Sequence, residues 1–313
     1  MLEAMSPRVG IVVRTKDRPD FLARALADVA AQAFPDWEAV VANDGGDPER
    51  VDRVVAGSGI GDRVAVVHIA PGEGGRCVAA NTGVRAVRAD LVVLHDDDDR
   101  WDPRFLRETV AWLDARPEDA AVATATTIVY EELRGGRWTE TSRVPFWAGM
   151  TGVSLAEMLS INRMVPIGVL YRRSLHDEVG WYDETLDAVE DWDLYLRILR
   201  RHPVGFIGGE PLAYWSQRPS VRGADANSMF EIADRHERDD ARVRDRALRE
   251  WVEANGPGLP LYLASAEKRI LREVERMLDE QRARIVAEIY DRHPLWRRVR
   301  RLRPRRSGRT GTA

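Results

Sequence analysis

The chain has one cysteine, no long apolar run and no glycine-rich loop near its start, and each shortage excludes a class of protein. With Cys77 as the only cysteine in 313 residues, neither an intrachain disulfide nor a cysteine metal cluster can form. No apolar run approaches the ~20 residues of a membrane span, and Met1 to Pro7 is too short and too polar for a signal peptide. No G-x-G-x-x-G follows the first apolar run, which argues against a dinucleotide-dependent dehydrogenase. We therefore expect a cytoplasmic protein.

The overall charge is mildly acidic, but the charges are unevenly distributed. The formal net charge of −4 argues against a general nucleic-acid binder. From Arg292 to Ala313, however, there are nine arginines and no acidic residue. We expect this basic tail to contact an anionic membrane face from the cytoplasmic side, as a peripheral association. A solvated, disordered tail is an equally weighted alternative.

Strands and helices are predicted to alternate four times in the first hundred residues. Apolar runs predict the strands, whereas apolar residues at helical spacing predict the helices between them. This alternation is typical of an α/β fold with an open, mostly parallel sheet flanked by helices. The predicted strands are Val9–Val13, Trp37–Ala42, Val64–Ile69 and Leu91–Leu94, and the predicted helices begin at Pro19, near Val51 and at Cys77.

The remainder is predicted to hold further strands and then long helices. The predicted strands are Ala121–Tyr130, Arg137–Ser142, Val165–Tyr171, Val204–Ile207 and Leu212–Ser216, with helices at Leu155–Leu159 and Glu190–Leu199. Beyond Asn227 the composition is charged and helical, and Asn255-Gly256-Pro257-Gly258 divides it in two. The segment Leu261–Tyr290 carries a narrow apolar stripe, which predicts packing on the core or on a second subunit as a homodimer.

Four consecutive carboxylates, Asp96 to Asp99, directly follow the fourth predicted strand. Such a run is stable when positive charge lies among its members, and oxygen ligands suit a hard divalent cation such as Mg²⁺ or Mn²⁺. A solvated acidic loop that caps the next helix is the alternative. In parallel sheets, ligands bind at the carboxyl ends of the strands. We therefore expect Thr15, Arg18, Asp44 and the acidic run to lie around one crevice.

Five short motifs together resemble the family 2 glycosyltransferases, which are inverting enzymes of the GT-A fold. In chain order they are Val-Val-Arg-Thr-Lys-Asp-Arg-Pro (12–19), Val-Val-Ala-Asn-Asp-Gly-Gly (40–46), Ala-Asn-Thr-Gly-Val (80–84), Leu-His-Asp-Asp-Asp-Asp-Arg-Trp-Asp-Pro (94–103) and Val-Glu-Asp-Trp-Asp-Leu-Tyr-Leu-Arg (189–197). Each motif is weak alone, but their order and spacing make the set specific. The resemblance covers roughly residues 7 to 228 and implies a Rossmann-like nucleotide half followed by an acceptor half.

The resemblance also implies a role for particular residues. Asp191 would be the general base, with Glu190 and Trp192 beside it as substrate-binding residues. Thr15 and Arg18 would lie near the base or diphosphate of a nucleotide sugar, and Asp44 would accept a hydrogen bond from the base, typically uracil. Asp96 and Asp98 would form the DXD element, in which Asp98 holds the metal, Asp96 faces the ribose with a share in the metal, and Asp97 assists. The implied partners are a nucleotide-diphosphate sugar and a hydroxyl acceptor, namely a glycan, a lipid-linked sugar or a natural-product aglycone.

Two positions depart from the family pattern. Where members often carry an arginine before the asparagine of the third motif, this chain has Ala80, and we expect Arg76 to supply the cation instead. Where many members carry a histidine after the last strand, this chain has Gln217, which puts a third protein ligand to the metal in doubt. A nucleotidyltransferase of related fold and a non-catalytic module that binds nucleotide sugars are the alternative functions.

The predicted organisation is a glycosyltransferase domain, a helical extension and a tail. The domain spans residues 1–226, with a nucleotide-sugar half at 1–103 and an acceptor half at 104–226. The helical extension covers 227–291 and the basic tail 292–313. Large aromatic residues are more often core than ligand platforms, so we expect Trp101, Trp147, Trp192 and Trp215 each to pack in the core in the absence of other evidence.

Overall fold

The computed structural model describes residues 6–221, 223 and 233–292. The chain divides into two compact units, Met1–Val243 and Arg244–Ala313, and each is described by itself. The predicted α/β fold class is confirmed. The predicted domain boundaries stay predictions, and the basic tail lies outside the described residues except for Arg292.

The first unit contains eleven described strands and seven described helices, besides the start of an eighth. The strands are β1 Val9–Thr15, β2 Trp37–Asp44, β3 Val64–Ile69, β4 Leu91–Asp96, β5 Arg100–Trp101, β6 Ala121–Thr124, β7 Thr126–Arg134, β8 Arg137–Pro145, β9 Val169–Arg172, β10 Val204–Ile207 and β11 Ala213–Gln217. The helices are α1 Pro19–Ala30, α2 Pro48–Gly57, α3 Arg76–Ala86, α4 Phe105–Ala115, α5 Leu155–Ser160, α6 Leu175–Val179, α7 Glu190–Leu199 and α8 Ala233–Asn255.

Seven strands form the main sheet, in the order β10-β6-β9-β4-β1-β2-β3. Four neighbouring strands of this sheet, β4, β1, β2 and β3, run parallel, as the alternation of strand and helix predicts. The exception is β9, which lies antiparallel between β4 and β6. Since β1, β2 and β4 are neighbours and run in the same direction, their carboxyl ends lie at one edge of the sheet.

Both faces of this sheet are covered, because its central strands are apolar on both sides. β1 is buried along its whole length, as is β4 up to Asp96. One core lies under α1, α2 and α4, whereas a second core lies under α3, α6 and α7. Burial on both faces explains why these strands are continuous apolar runs instead of alternating ones. It also fixes the strand ends from which the polar loops emerge.

A second sheet, in the order β5-β11-β7-β8, corrects one of the strand predictions. The segment Ala121–Tyr130 was predicted as one strand, but it forms β6 in the main sheet and β7 in the second. The change occurs at Ala125, whose N–H donates to Ile207 O while its carbonyl accepts from Leu212 N. Likewise, Val165–Tyr171 begins as a 3₁₀ turn at Pro166–Gly168, and only β9 is extended.

The second unit contains the end of α8 and the long helix α9, Gly258–Arg292. The break between them falls where Asn255-Gly256-Pro257-Gly258 predicts it, since Gly256 adopts a φ of +76°. In the part of the chain that the structure describes, no helix combines the length and apolar character that a membrane crossing requires.

Candidate active site

A cavity of about 700 Å³ opens at the carboxyl ends of β1, β2 and β4. The loops after these three strands meet there, as expected from a parallel sheet. The amino ends of α3 and α7 also contribute to its wall. The predicted site residues that line the cavity are Thr15, Arg18, Asp44, Arg76, Asp96, Asp98, Glu190 and Asp191. Two predicted residues, Asp97 and Trp192, do not line it.

Asp96 is held by an arginine that the sequence analysis did not single out. Arg14 is the next-to-last residue of β1, and the strand register pairs it with Asp96 at the end of β4. Its guanidinium donates two hydrogen bonds to the two carboxylate oxygens, at 2.6 and 2.8 Å. Burial alone would raise the pKa of Asp96, but Arg14 outweighs it and the pKa lies below its ordinary value. Asp96 is therefore an ionised, rigidly oriented carboxylate at the cavity.

Asp97 points away from the cavity and is fully buried. Thr15 Oγ1 donates to its Oδ2 at 2.7 Å, and Arg18 Nε donates to the same oxygen at 3.2 Å. Burial raises the pKa of Asp97 to about 7, although the charge of Arg18 opposes the rise. Thr15 and Arg18 line the cavity, whereas Asp97 does not. By accepting hydrogen bonds from both residues, Asp97 holds the loop after β1 in position.

Asp98 lies on the cavity wall and contacts two arginines. Arg218 contacts Asp98 Oδ2 through Nη2, and Arg18 Nη1 lies 3.4 Å from the same oxygen. Arg218 is fully buried and also pairs with Glu131 at 3.2 Å. The sequence argument expected positive charge among the four carboxylates. Arg14, Arg18 and Arg218 provide that charge from the protein itself.

The acidic end of the cavity offers only oxygen donors to a divalent cation. Asp96 and Asp98 contribute carboxylates, and Gln217 adds a buried amide whose two polar atoms have no hydrogen-bond partner in the described part of the chain. Mg²⁺ and Mn²⁺ suit such donors and commonly bind to one or two carboxylates together with substrate phosphates. Among residues 6–221, 223 and 233–292, no three His, Cys, Asp or Glu side chains form a group that could hold a metal. The donors therefore fit a cation whose coordination a bound diphosphate completes.

Asp191 faces the same cavity from the first turn of α7. Asn162 Nδ2 donates to its Oδ2 at 3.0 Å, so one carboxylate oxygen is oriented from outside the helix. Val189, immediately before α7, has a φ of +56°. A β-branched residue in this left-handed region is strained by ~1–3 kcal/mol. The surrounding fold thus holds the start of α7, and with it Asp191, in a defined position.

Glu190 contacts an arginine of β1 and an arginine of α3, and its negative charge affects the pKa of Asp191. Its Oε1 accepts from Arg14 Nη1 at 3.2 Å and lies 3.3 Å from Arg76 Nε. Burial, followed by the negative charge of Glu190, raises the pKa of Asp191 to about 7. Three interactions oppose the rise, namely a hydrogen bond from the backbone N–H of Trp192, the positive charge of Arg76 and the hydrogen bond from Asn162. Asp191 therefore changes protonation near neutral pH, where a general base is effective.

Asp44 connects the loop after β2 to the start of α3. Its Oδ1 accepts from Gly75 N at 2.7 Å, and Lys16 Nζ lies 3.7 Å from Oδ2. A Cβ at Gly74 would lie 1.7 Å from Asp44 Oδ1, so only glycine leaves room for the carboxylate there. Asp44 positions Arg76, at the first residue of α3, through this short loop.

Trp192 is placed in the core and not at the cavity. It is 2% exposed, and its indole N–H donates to Met158 O at 2.6 Å. The residue follows Asp191 by about 100° around α7, which turns its side chain toward the sheet. Trp101 is buried as expected, and it packs edge-on against the buried His95. Trp147 differs, because it lines the cavity, is 36% exposed and has a φ of +72°.

Several cavity residues had no local sequence signal. Asn162 lies in the loop after α5, and His236 lies in α8, far along the chain from the motifs. An apolar part of the wall is formed by Phe146, Trp147, Ile161, Val165, Pro166 and Trp215. Of the site residues missed in the sequence analysis, only Arg14 could have been predicted, because residues near the ends of two neighbouring parallel strands are expected to be adjacent.

Comparison with known proteins gives one family match. The model of glycosyl transferase family 2 matches residues 10–180. A glycosyltransferase of Bacillus subtilis described as uncharacterised, YwdF, is 27% identical over 199 residues, which are 63% of this chain and 70% of that protein. The O-antigen biosynthesis protein RfbC of Myxococcus xanthus is 26% identical over 229 residues, or 72% of this chain, but this chain spans only 17% of its length.

Solved structures match at the level of the fold. The structure of S. aureus TarS 1–349 in complex with UDP-GlcNAc aligns with a TM-score of 0.56 at 17% identity, over 80% of this chain and 75% of that one. The same protein in complex with UDP aligns with a TM-score of 0.55. The predicted GT-A architecture is confirmed by these alignments and by the mostly parallel seven-stranded sheet.

Proposed function

The chain belongs to glycosyl transferase family 2 and is a glycosyltransferase, and from that membership we propose that it transfers a sugar from a UDP-sugar to a hydroxyl acceptor with inversion. In this proposal Asp191 is the general base, and the carboxylate run at the end of β4 serves the diphosphate side. One observation carries the proposal. Asp98, after β4, and Asp191, in the first turn of α7, line one cavity of about 700 Å³, a volume that suits a small-molecule ligand.

The donor would bind along the loops after β1 and β2. Asp44 would accept from the nucleotide base, while Thr15 and Arg18 would lie along the base and diphosphate. Support for a UDP-sugar comes from the TarS fold neighbour, whose complex contains UDP-GlcNAc. Because that neighbour is only 17% identical, its ligand guides the choice of donor but does not decide it.

Departure of the nucleoside diphosphate places negative charge on the β-phosphate. Arg76 opens α3, so its guanidinium and the positive end of the helix dipole both lie at the cavity. Arg18 adds a second cation from the loop after β1. When bound, Mg²⁺ or Mn²⁺ at Asp98, with Asp96 and the Gln217 amide oxygen within the same wall, would supply further charge stabilisation. Asp96 would face the ribose, already oriented by Arg14.

The acceptor hydroxyl must lose its proton as it attacks the anomeric carbon. Attack from the face opposite the leaving group inverts that carbon, and it requires a base across the sugar from the diphosphate. We assign this role to Asp191, because it lines the same cavity from α7 and its pKa is raised to about 7. Asn162 donates to one carboxylate oxygen and thereby orients the group that would accept the acceptor proton.

The acceptor would approach along the apolar part of the wall. Trp147 and Trp215 line the cavity there, and sugars with one apolar face pack against aromatic rings. We infer a glycan, lipid-linked sugar or aglycone acceptor, in polysaccharide, glycoconjugate or cell-envelope synthesis. The likeness to an O-antigen biosynthesis protein supports that pathway class. Contact of the basic tail with a membrane is part of the same proposal and concerns residues outside the described ones.

Neutralising Glu190 should shift the pH profile of transfer to lower pH. The charge of Glu190 raises the pKa of Asp191, so in Glu190→Gln the base ionises at a lower pH. Arg14 and Arg76 can still donate to the glutamine oxygen. Two other titratable groups on the surrounding elements, His236 and Tyr195, are unchanged in this variant. We expect the acidic limb of kcat/KM to move down by about one pH unit, the scale set by a neighbouring charge. Glu178→Gln, which removes a charge outside the cavity, should leave the limb near pH 7; an unmoved limb in Glu190→Gln would contradict Asp191 as the titrating base.

A ligand screen tests the function itself. Purified protein should melt at a higher temperature with UDP and Mn²⁺ than with UMP and Mn²⁺, since binding to the native state stabilises it by mass action. Slow release of UDP from at least one UDP-sugar should accompany the shift. Stabilisation without release from any nucleotide sugar, even with acceptor mixtures present, would favour the non-catalytic binding module. If no nucleoside diphosphate alters the melting temperature, the proposed function is wrong.

A further inference from the structure

Helix α9 carries a continuous apolar stripe that the described residues leave in solvent. Each member is between 46% and 63% exposed. At 100° per residue the members fall within about 120° of the helix circumference, and they extend over roughly 45 Å of its length. The apolar stripe consists of Leu259, Leu263, Ile270, Leu271, Val274, Met277, Leu278, Ile285 and Ile289. A stripe of this length normally packs against another helix.

The charges around the stripe favour a protein partner over a lipid surface. From Gly258 to Arg292 the helix has seven lysines and arginines and seven aspartates and glutamates. A helix that lies on an anionic membrane is typically rich in Lys and Arg on its polar face. Balanced charges of both signs are instead typical of helices that pair with other helices.

We propose that the stripe is covered by α9 of a second copy of this chain, in an antiparallel pair. The argument comes from the charges that flank the stripe on its two sides. On one flank lie Glu275 and then Arg282, and on the other lie Glu273 and then Arg284. Each flank thus has its acid toward the amino end of the helix and its base toward the carboxyl end.

An antiparallel pair places opposite charges together. Rotation about a two-fold axis perpendicular to the helices brings each flank against the same flank of the partner, with the direction reversed. Glu275 then faces Arg282 of the second copy, and Glu273 faces Arg284. Both pairs are centred on the same height of the helix, between Leu278 and Asp279, so a single axis satisfies both.

A parallel pair would place like charges together. There, each flank meets the opposite flank of the partner at the same height. Glu275 would face Glu273 of the second copy, and Arg282 would face Arg284, so both contacts would be repulsive. The flanking charges are also available for pairing, because Glu275, Arg282 and Arg284 form no ion pair within the described part of the chain, whereas Glu273 pairs with Arg276.

Cysteine cross-linking distinguishes the two orientations in the full chain. In the antiparallel pair, Val274 of one copy lies near Ile285 of the other, whereas the two Val274 residues are about nine residues apart along the axis. That separation is roughly 13 Å, beyond the ~7 Å that a disulfide spans between Cα atoms. The only native cysteine, Cys77, is buried. We expect Val274→Cys and Ile285→Cys chains to cross-link when produced together and neither to cross-link alone; self-cross-linking of Val274→Cys would show a parallel pair and overturn the proposal.

Charge reversal and light scattering test the pair without a cross-link. The wild-type chain should scatter as a dimer at micromolar concentration. Arg282→Glu with Arg284→Glu should weaken the dimer at least tenfold, and adding Glu273→Arg with Glu275→Arg should restore it. Arg269→Glu with Arg272→Glu makes the same charge change on the outer face and should leave the dimer intact, with circular dichroism confirming helix content in every variant. A monomeric wild-type chain would overturn the proposal.

Discussion

Replacement of Asp191 by asparagine should reduce sugar transfer about 10²- to 10⁴-fold, the usual contribution of a positioned general base. The substitution keeps the size of the side chain and an oxygen that can accept from Asn162. What it removes is the ability to take a proton from the acceptor hydroxyl near neutral pH. Because Asp98 and Asp191 belong to different elements, the loop after β4 is unchanged, and donor binding should be retained.

The measurement combines transfer rates with calorimetric titration of UDP in the presence of Mn²⁺. We expect kcat to fall while the Kd for UDP changes less than twofold. Asp187→Asn makes the same chemical change four residues earlier, at an exposed side chain outside the cavity, and should leave kcat near that of the wild type. If Asp191→Asn retained more than a tenth of the wild-type rate, another group would have to be the base.

The secondary structure around the site could be predicted because its signals are local. Pro19, the apolar spacing of α1 and the acids that open α7 each depend on residues within one or two turns. The helix predicted at Glu190–Leu199 and the strand predicted at Val64–Ile69 have the observed bounds. The convergence of the loops after β1, β2 and β4 followed from a general property of parallel sheets and needed no tertiary information.

The second half was predicted less well because its strands depend on distant partners. Nothing near Ala125 indicates that the chain leaves one sheet for another; the cause is hydrogen bonding to Ile207 and Leu212, more than 80 residues away. The insertion of β9 antiparallel between β4 and β6 is equally non-local. Periodicity predicts that a segment is extended, but it does not predict which strand lies beside it.

The same limit applies to the charges of the site. From the sequence, four adjacent carboxylates indicated a cation, and a bound metal was the obvious one. The structure adds Arg14, Arg18 and Arg218, of which Arg218 is 120 residues from Asp98 in the chain. An arginine within a polar segment after β11 resembles many surface arginines. Only the packing of β11 beside β5 and β7 makes it the buried partner of the acidic run.

Replacement of Arg218 by methionine should destabilise the protein by ~3–5 kcal/mol, the cost of removing one member of a buried ion pair. Arg218 is fully buried, pairs with Asp98 and Glu131, and stacks near Phe21 with its guanidinium carbon 4.5 Å from the ring centre. Methionine retains much of the apolar volume, so the loss comes from the charge. Asp98 and Glu131 would then be buried together, with Arg18 still beside Asp98 and Arg24 and Arg100 still beside Glu131.

Urea unfolding monitored by tryptophan fluorescence measures this cost, and two variants separate its causes. Arg24→Met removes a cation from the more exposed side of Glu131 and should cost less than Arg218→Met, because that side chain is 29% exposed. Arg218→Lys keeps the charge but cannot reach both carboxylates with a planar fork, so its stability should lie between wild type and Arg218→Met. If Arg218→Met lost less than about 1 kcal/mol, as a surface pair would, the acidic run would not depend on this arginine. The positive charge that keeps four carboxylates together would then have to come from Arg14 and Arg18 or from a bound cation.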